Sequence, residues 1–252
     1  MAKTSNNLIY IVSIDHHTSN NKCSDYSKYC LKTWEYWCNK NKVDLIVCTK
    51  HDERFGRPIW NKEKIYEVGK NYDKIGIVDS DTMVKWDTPN IFNTYENEFC
   101  GVIDTGDFGW ILDSIKVYNR FFPNIKLNID NYFNAGVLFF HNNHLRIFEE
   151  LLNLYLDNKE VLDNWKQGGG KEQTLLNYIV NKNNIKIKPL LPNWNLLGIH
   201  KKDMFKHNWQ LNRNNMPFFI KYGYIWHFTG LPVEQRKDIM GKTWDLIKEN
   251  YE

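Results

Sequence analysis

The sequence predicts an α/β fold built on a mainly parallel, doubly wound sheet with flanking helices. Three observations carry that expectation. Short apolar β-branched runs alternate with segments of helical periodicity, the order that produces crossover connections. Those runs lack polar alternation, as strands covered on both faces do. Finally, 252 residues with 42% hydrophobic content and 10 Trp can bury a sizeable core.

Leu8 to Ile14 opens the chain as a buried strand. Ser24 to Asn41 follows with Tyr26, Cys30, Trp34, Trp37 and Cys38 at three- and four-residue spacing, a helical stripe. Val43 to Thr49 reads as the second strand, Lys62 to Lys70 as a short helix and Lys74 to Asp79 as the third strand. Phe99 to Ile103 and Phe133 to Phe140 are further strands. Helical periodicity returns over His144 to Leu156 and Glu172 to Val180. Ile185 to Leu190 and Tyr224 to Phe228 read as late strands, and Val233 to Asn250 as the closing helix. No Pro/Gly/Ser-rich linker divides the chain and no internal repeat is visible. One domain over residues 1–252 is expected, with a C-terminal subdomain from about residue 190 completing the site.

A formal charge of +3 gives no support to a nucleic-acid partner. No apolar stretch reaches the length of a membrane span. The polar start lacks a signal-peptide core, and five cysteines (Cys23, Cys30, Cys38, Cys48, Cys100) follow no zinc or redox spacing. Free thiols in a reducing, cytoplasmic compartment are expected.

Asp79-Ser80-Asp81 stands where the third strand ends. Residues i and i+2 of an extended segment point the same way, so both carboxylates can address one cation. Alone, the pattern fits a solvated turn as well as a metal site. Its delivery to the carboxyl edge of a parallel sheet, where such folds bind ligands, suits a metal site, but the solvated turn remains the readier reading until further segments are counted. Oxygen donors of this kind select Mn²⁺ or Mg²⁺.

Four segments, in order, resemble one known group. Lys74-Ile-Gly-Ile-Val-Asp-Ser-Asp-Thr-Met-Val84 is similar to the Asp-x-Asp strand of nucleotide-sugar glycosyltransferases with the GT-A fold. Phe133-Asn-Ala-Gly-Val-Leu-Phe-Phe140, Gly169-Gly-Lys-Glu-Gln-Thr-Leu-Leu-Asn177 and Trp226-His-Phe-Thr-Gly230 resemble segments of the retaining, glycogenin-like glycosyltransferase family 8. The resemblance implies a GT-A fold, a Rossmann-like mainly parallel sheet flanked by helices. It also implies a metal-dependent transfer of sugar from a UDP-sugar donor to an acceptor hydroxyl, with retention of anomeric configuration.

Carried over residue by residue, the resemblance makes Asp79, Asp81 and His227 ligands of Mn²⁺ or Mg²⁺. The cation would neutralise charge on the leaving diphosphate. The packed-core alternative for His227 rests on its place between Trp226 and Phe228. Asn134, Ala135, Ser80, Gly230 and Lys62 are expected at the donor, with Ser13 and Asp15 at its nucleoside. Glu172 and Gln173 are the expected catalytic pair, with Glu where the family carries Asp. Asp104 and Trp194-Asn195 match further segments near such sites. The family's late Lys is missing, and only Arg236 or Lys237 can substitute. Arg57 and Lys62 supply basic groups ahead of the Asp-x-Asp strand, where similar enzymes bring such groups, Lys62 in particular, to the donor's phosphate or sugar; a surface loop and helix start is the alternative.

Other patterns point elsewhere or nowhere. Gly168-Gly169-Gly170-Lys171 lacks the remainder of a phosphate loop. Asp15, His16 and His17, being adjacent, cannot easily share one ion. A sugar nucleotidyltransferase needs a Gly-rich loop after the first strand, and Leu8 to Asn20 holds no Gly. A non-catalytic nucleotide-sugar or glycan-binding module remains the alternative. The acceptor class is open among protein, glycan, lipid and small molecule.

Overall fold

The computed structural model describes residues 5–15, 22–165, 171–198 and 216–252. His16, His17 and the Gly168–Gly170 run lie outside them. The elements run β1 (Asn7–Val12), α1 (Ser24–Asn41), β2 (Asp44–Cys48), α2 (Ile65–Val68), β3 (Lys74–Asp79), β4 (Thr82–Val84) and β5 (Phe99–Ile103). They continue with α3 (Phe108–Tyr118), β6 (Phe133–His141), α4 (Leu145–Asp157), α5 (Lys159–Asn164) and α6 (Lys171–Lys182). The chain closes with β7 (Ile187–Pro189), α7 (Phe218–Tyr222), β8 (Ile225–His227) and α8 (Val233–Ile247).

Six strands form the central sheet in the order β2-β1-β3-β6-β5-β7. The sheet is mainly parallel: β6 alone runs against the rest, pairing antiparallel with β3 and β5. Side-chain alternation sorts each strand between two cores. Ile9, Ile11, Val78, Val137 and Phe139 pack with Trp34, Trp37 and Met240 on the α1/α8 face. Leu8, Tyr10, Ile77, Leu138 and Phe140 pack with Phe148, Leu151 and Ile179 on the α4/α6 face. This two-sided cover explains why the strand runs carry almost no polar residue.

The reversal of β6 decides where the functional residues meet. Val78 pairs with Val137 and Ile103 with Phe133. The end of β3, the start of β6 and the end of β5 therefore share one sheet edge. Asp79, Asn134 and Asp104 leave the sheet side by side. A second, two-stranded sheet joins β4 to β8 antiparallel, with Thr82 opposite His227. The expected late strand over Tyr224 to Phe228 thus exists but leaves the main sheet. Its partner, β4, continues directly from the Asp-x-Asp turn.

Two expectations need adjustment. The Lys62 to Lys70 helix is a 3-10 turn over Pro58–Lys64, a four-residue α2 and another 3-10 turn over Gly69–Asn71. Pro58 starts the first turn earlier than periodicity implied, since its fixed φ suits a helix start. Helix α3 was not anticipated: Asp107 caps it by accepting from the Trp110 amide at 3.0 Å.

Asn177 fastens α6 to the edge. Its side chain accepts from the Phe133 amide at 3.0 Å and donates to the Phe133 and Gln173 carbonyls at 2.9 Å. Asn177→Ala strips partners from buried backbone groups, and we expect a loss of about 3 kcal/mol. Urea unfolding should show a lower midpoint with an unchanged slope.

Candidate active site

Three ligand-type atoms from two segments converge at the sheet edge. Asp79, Asp81 and His227 each place one within 4.8 Å of the others. Nε2 of His227 lies 3.2 Å from Oδ1 of Asp81 and 3.8 Å from Oδ2 of Asp79. Asp79 ends β3, Asp81 follows the turn, and the β4–β8 pairing brings His227 opposite.

The tautomer of His227 is set through a line of amides that starts from backbone. The Gly136 amide donates to Oδ1 of Asn134 at 2.9 Å, which fixes that side-chain oxygen as the acceptor. Nδ2 of Asn195 donates to the same oxygen at 3.0 Å. Oδ1 of Asn195 then faces Nδ1 of His227 at 2.9 Å, so Nδ1 carries the hydrogen. Nε2, the other ring nitrogen, is buried without a hydrogen-bond partner among the described residues and offers a lone pair when the ring is neutral. A lone pair facing two carboxylates is a poor arrangement by itself and a good one around a divalent cation. The donor set, two oxygens and one imidazole nitrogen, suits Mn²⁺.

Gly136 makes the approach feasible. A Cβ there would fall 2.2 Å from Cε1 of His227 and 2.7 Å from Oδ2 of Asp79. Gly230, beside the same cleft, has φ 76°, a conformation glycine adopts without strain.

Each aspartate spends its other oxygen on a protein cation. Nζ of Lys62 lies 2.6 Å from Oδ1 of Asp79, and Nε of Arg236 lies 3.3 Å from Oδ2 of Asp81. Oδ2 of Asp79 and Oδ1 of Asp81 thus remain turned toward His227. Arg236 is aimed by the carbonyls of Phe228 and Leu231 and stacks over Tyr26. Burial opposes ionisation of Asp81, yet His227, Arg236 and Lys62 hold its pKa at about 2.

Lys62 is only 4% exposed and also reaches Glu172 Oε1 and the Ala135 carbonyl, both at 3.4 Å. Burial works against its charge, but Asp79 and Glu172 more than compensate and raise its pKa. Burial lifts Glu172 to about 7, with Asp79 adding to the rise and Lys62 opposing it. Glu63 is fully buried with both oxygens unpartnered among the described residues. Burial and then Glu172 push it well above the usual carboxylate range. Nothing in the sequence pattern had singled out Glu63.

Gln173 is locked from three sides. Its Oε1 accepts from the Ala135 amide at 3.1 Å and from Asn134 at 3.0 Å, while Nε2 donates to Asp104 at 3.1 Å. Asp104 also accepts from Asn134 at 3.2 Å. A continuous series of side chains therefore links Asp104, Gln173, Asn134, Asn195 and His227.

Two cavities meet here. The larger, about 480 Å³, is lined on its inner side by Lys62, Asp79, Asn134, Glu172, Gln173 and His227. The smaller, about 210 Å³, opens between Val12, Ile14, Tyr26, Ser80, Asp81 and Arg236. Ile59, Lys62 and Asp79 belong to both. Ala135 and Gly230 line the larger cavity. Ser13 and Asp15 line neither: Ser13 donates to Ser27 at 2.8 Å, and Asp15 accepts from the Ser24 amide and hydroxyl at the start of α1. The outer wall of the larger cavity includes Asp107, Trp110 and Leu197, which the sequence reading missed. The Asp107 cap and the Ile111/Tyr118 spacing that follows were the available signal.

A model of glycosyl transferase family 8 matches residues 50–232. A glycosyltransferase involved in glycosylating the major capsid of PBCV-1 superposes with a TM-score of 0.57 at 12% identity, covering 93% of this chain and 98% of its own. The bifunctional glycosyltransferase WbbM gives 0.56 at 16%, covering 99% of this chain, which spans about half (52%) of WbbM's length. The galactosyltransferase LgtC, solved with donor and acceptor sugar analogs, gives 0.50 at 14%, covering 94% and 99%. These likenesses establish the GT-A fold. No curated protein sequence matches the chain.

The raised pKa of Glu172 has a stability consequence. The folded state holds this proton more tightly than the unfolded chain, whose carboxyl has a value of 4.5. Its contribution is complete below pH 4.5 and is lost as pH rises through about 7. Glu172→Gln should flatten the fall in denaturation midpoint across that window, whereas an unchanged pH slope contradicts the assignment.

Proposed function

The chain belongs to glycosyl transferase family 8, and from that premise we propose that it transfers a sugar from a UDP-linked donor with a divalent cation at Asp79, Asp81 and His227. The family is one of glycosyltransferases, so the reading as a non-catalytic binding module is set aside. One observation carries the metal assignment: two carboxylate oxygens and an imidazole nitrogen, unpartnered among the described residues, lie within 4.8 Å of one another. None of the three is blocked by Lys62 or Arg236, because those cations hold the opposite carboxylate oxygens.

The two cavities suggest how the donor lies. A planar base fits the smaller one, where Val12, Ile14 and Tyr26 offer apolar and aromatic walls. Ser13 and Asp15, occupied by Ser27 and Ser24, support these walls instead of lining the cavity. The diphosphate then falls at the junction, beside Lys62, Asp79, Ser80 and Asp81, and the donor sugar enters the larger cavity. A bound Mn²⁺ or Mg²⁺ would supply Lewis-acid neutralisation of the diphosphate as the glycosidic bond breaks. Arg236, held beside Asp81 by two carbonyls, stands in for the family's late Lys as a fixed positive charge facing that diphosphate.

Within the larger cavity the chain's own groups orient the sugars. Glu172, ionised above about pH 7, accepts hydrogen bonds from donor hydroxyls while Lys62 balances its charge. Gln173 and Asn134 are held rigid by Asp104 and the Ala135 amide, so they present fixed dipoles at the reacting face without reorganising. Closeness of the acceptor hydroxyl to the anomeric carbon then supplies most of the advantage. Transfer with retention follows the family 8 pattern.

Titration with UDP-glucose and UDP-galactose tests the reading. Thermal stabilisation should require Mn²⁺, vanish in EDTA and be lost in Asp81→Ala. Equal stabilisation with EDTA, or an unaffected Asp81→Ala, contradicts it. Asn195→Ala removes the group that fixes Nδ1–H of His227. Calorimetry should show Mn²⁺ affinity in the presence of UDP falling about 10- to 100-fold, the range for outer partners of metal ligands.

A further inference from the structure

The larger cavity is lined by two cations that the donor diphosphate, as placed above, does not reach. Arg57 and Lys171 both line this cavity, and neither lines the smaller one. Arg57 Nη2 donates to the Asp163 carbonyl at 3.5 Å, and Lys171 Nζ donates to the Leu162 carbonyl at 2.7 Å. Neither cation pairs with a carboxylate among the described residues. The Asp163 carboxylate attracts Lys171 electrostatically but is bonded elsewhere: Lys159 lies 2.7 Å from it, and the Tyr155 hydroxyl donates to it at 3.0 and 3.1 Å.

Two positive groups near one another at the mouth of a cleft cost energy until an anion arrives. Burial and then the neighbouring Arg57 already push the Lys171 ammonium below its usual value. The same cavity presents Trp110, Ile59 and Leu197, apolar surface of the kind on which a sugar face packs. Lys62 and Arg236 stand at Asp79 and Asp81 instead, where the diphosphate is assigned. Arg57 and Lys171 therefore have no donor phosphate to meet.

We propose that the acceptor is a carbohydrate bearing an acidic group, a phosphate or a carboxylate, held by Arg57 and Lys171 while a sugar face packs on Trp110. This inference rests on the donor placement given above. Charge-assisted bonds from a guanidinium and an ammonium to one anion would set both affinity and orientation. The acidic group lies toward the rim and the acceptor hydroxyl toward Gln173 and the donor.

The test uses the full chain with Mn²⁺ and UDP, and three probes: glucose 6-phosphate, glucuronate and methyl glucoside. Saturation-transfer NMR should show at least one acidic sugar binding about tenfold more tightly than the neutral one. The preference should shrink as salt is raised and fall to parity in the Arg57→Gln/Lys171→Gln double variant. The Arg57→Lys/Lys171→Arg variant, which preserves charge, should retain it. A preference for glucose 6-phosphate alone identifies a phosphorylated acceptor, and one for glucuronate alone a uronate-bearing acceptor. Equal affinities, no binding by any probe, or a preference that survives the double Gln variant overturns the inference while UDP still binds. Failure of UDP to bind with Mn²⁺ overturns the donor assignment, and this inference falls with it.

Discussion

Two carboxylate oxygens and an imidazole nitrogen that has no hydrogen-bond partner among the described residues are held together at a sheet edge, and the rest of the site is arranged around that constraint. Asp79 and Asp81 are brought there by β3 and the turn into β4, and His227 by the pairing of β4 with β8. Like-charged carboxylates this close would repel, so Lys62 and Arg236 take the outward oxygens. The inward face stays open to a cation. Asn195, Asn134, Gln173 and Asp104 then hold the imidazole by hydrogen bonds that end on backbone amides.

Much of this was legible from sequence because it follows local rules. Buried strands announce themselves as apolar runs, and the Asp-x-Asp pair sits where such a run stops. The structure places Glu172, Gln173, Lys62, Asn134, Ala135 and Gly230 around one cleft with Asp79 and His227, and Asp81 in the adjoining one. What escaped was non-local. An apolar run carries no strand direction, so the reversal of β6, which sets Asn134 beside Asp79, could not be read. Asn195 lies 32 positions from His227 and 61 from Asn134, and no spacing rule links them. Helix α3 hid behind Gly106 and Gly109, which break the pattern its Asp107 cap begins. Ser13 and Asp15 were legible as polar residues at a strand end, but not as partners of Ser27 and Ser24.

Charge follows the same logic at two scales. A net formal charge of +3 spread over the chain creates no strong basic field. Locally, the site sets its cations against carboxylates: Lys62 beside Asp79 and Glu172, and Arg236 at Asp81. Arg57 and Lys171 depart from this pattern, and that departure is what singles them out. Glu63 departs in the other direction, a carboxyl that burial pushes toward its protonated form, with no hydrogen-bond partner among the described residues.

The central claim is that His227 and the aspartates hold a divalent cation that also holds the donor's diphosphate. Pulsed EPR on the protein with Mn²⁺ and UDP tests it most directly. One coordinated imidazole nitrogen and a phosphorus coupling should appear together, and the nitrogen signal should vanish in His227→Gln. A Mn²⁺ spectrum without directly bound nitrogen in the wild-type complex would contradict the account.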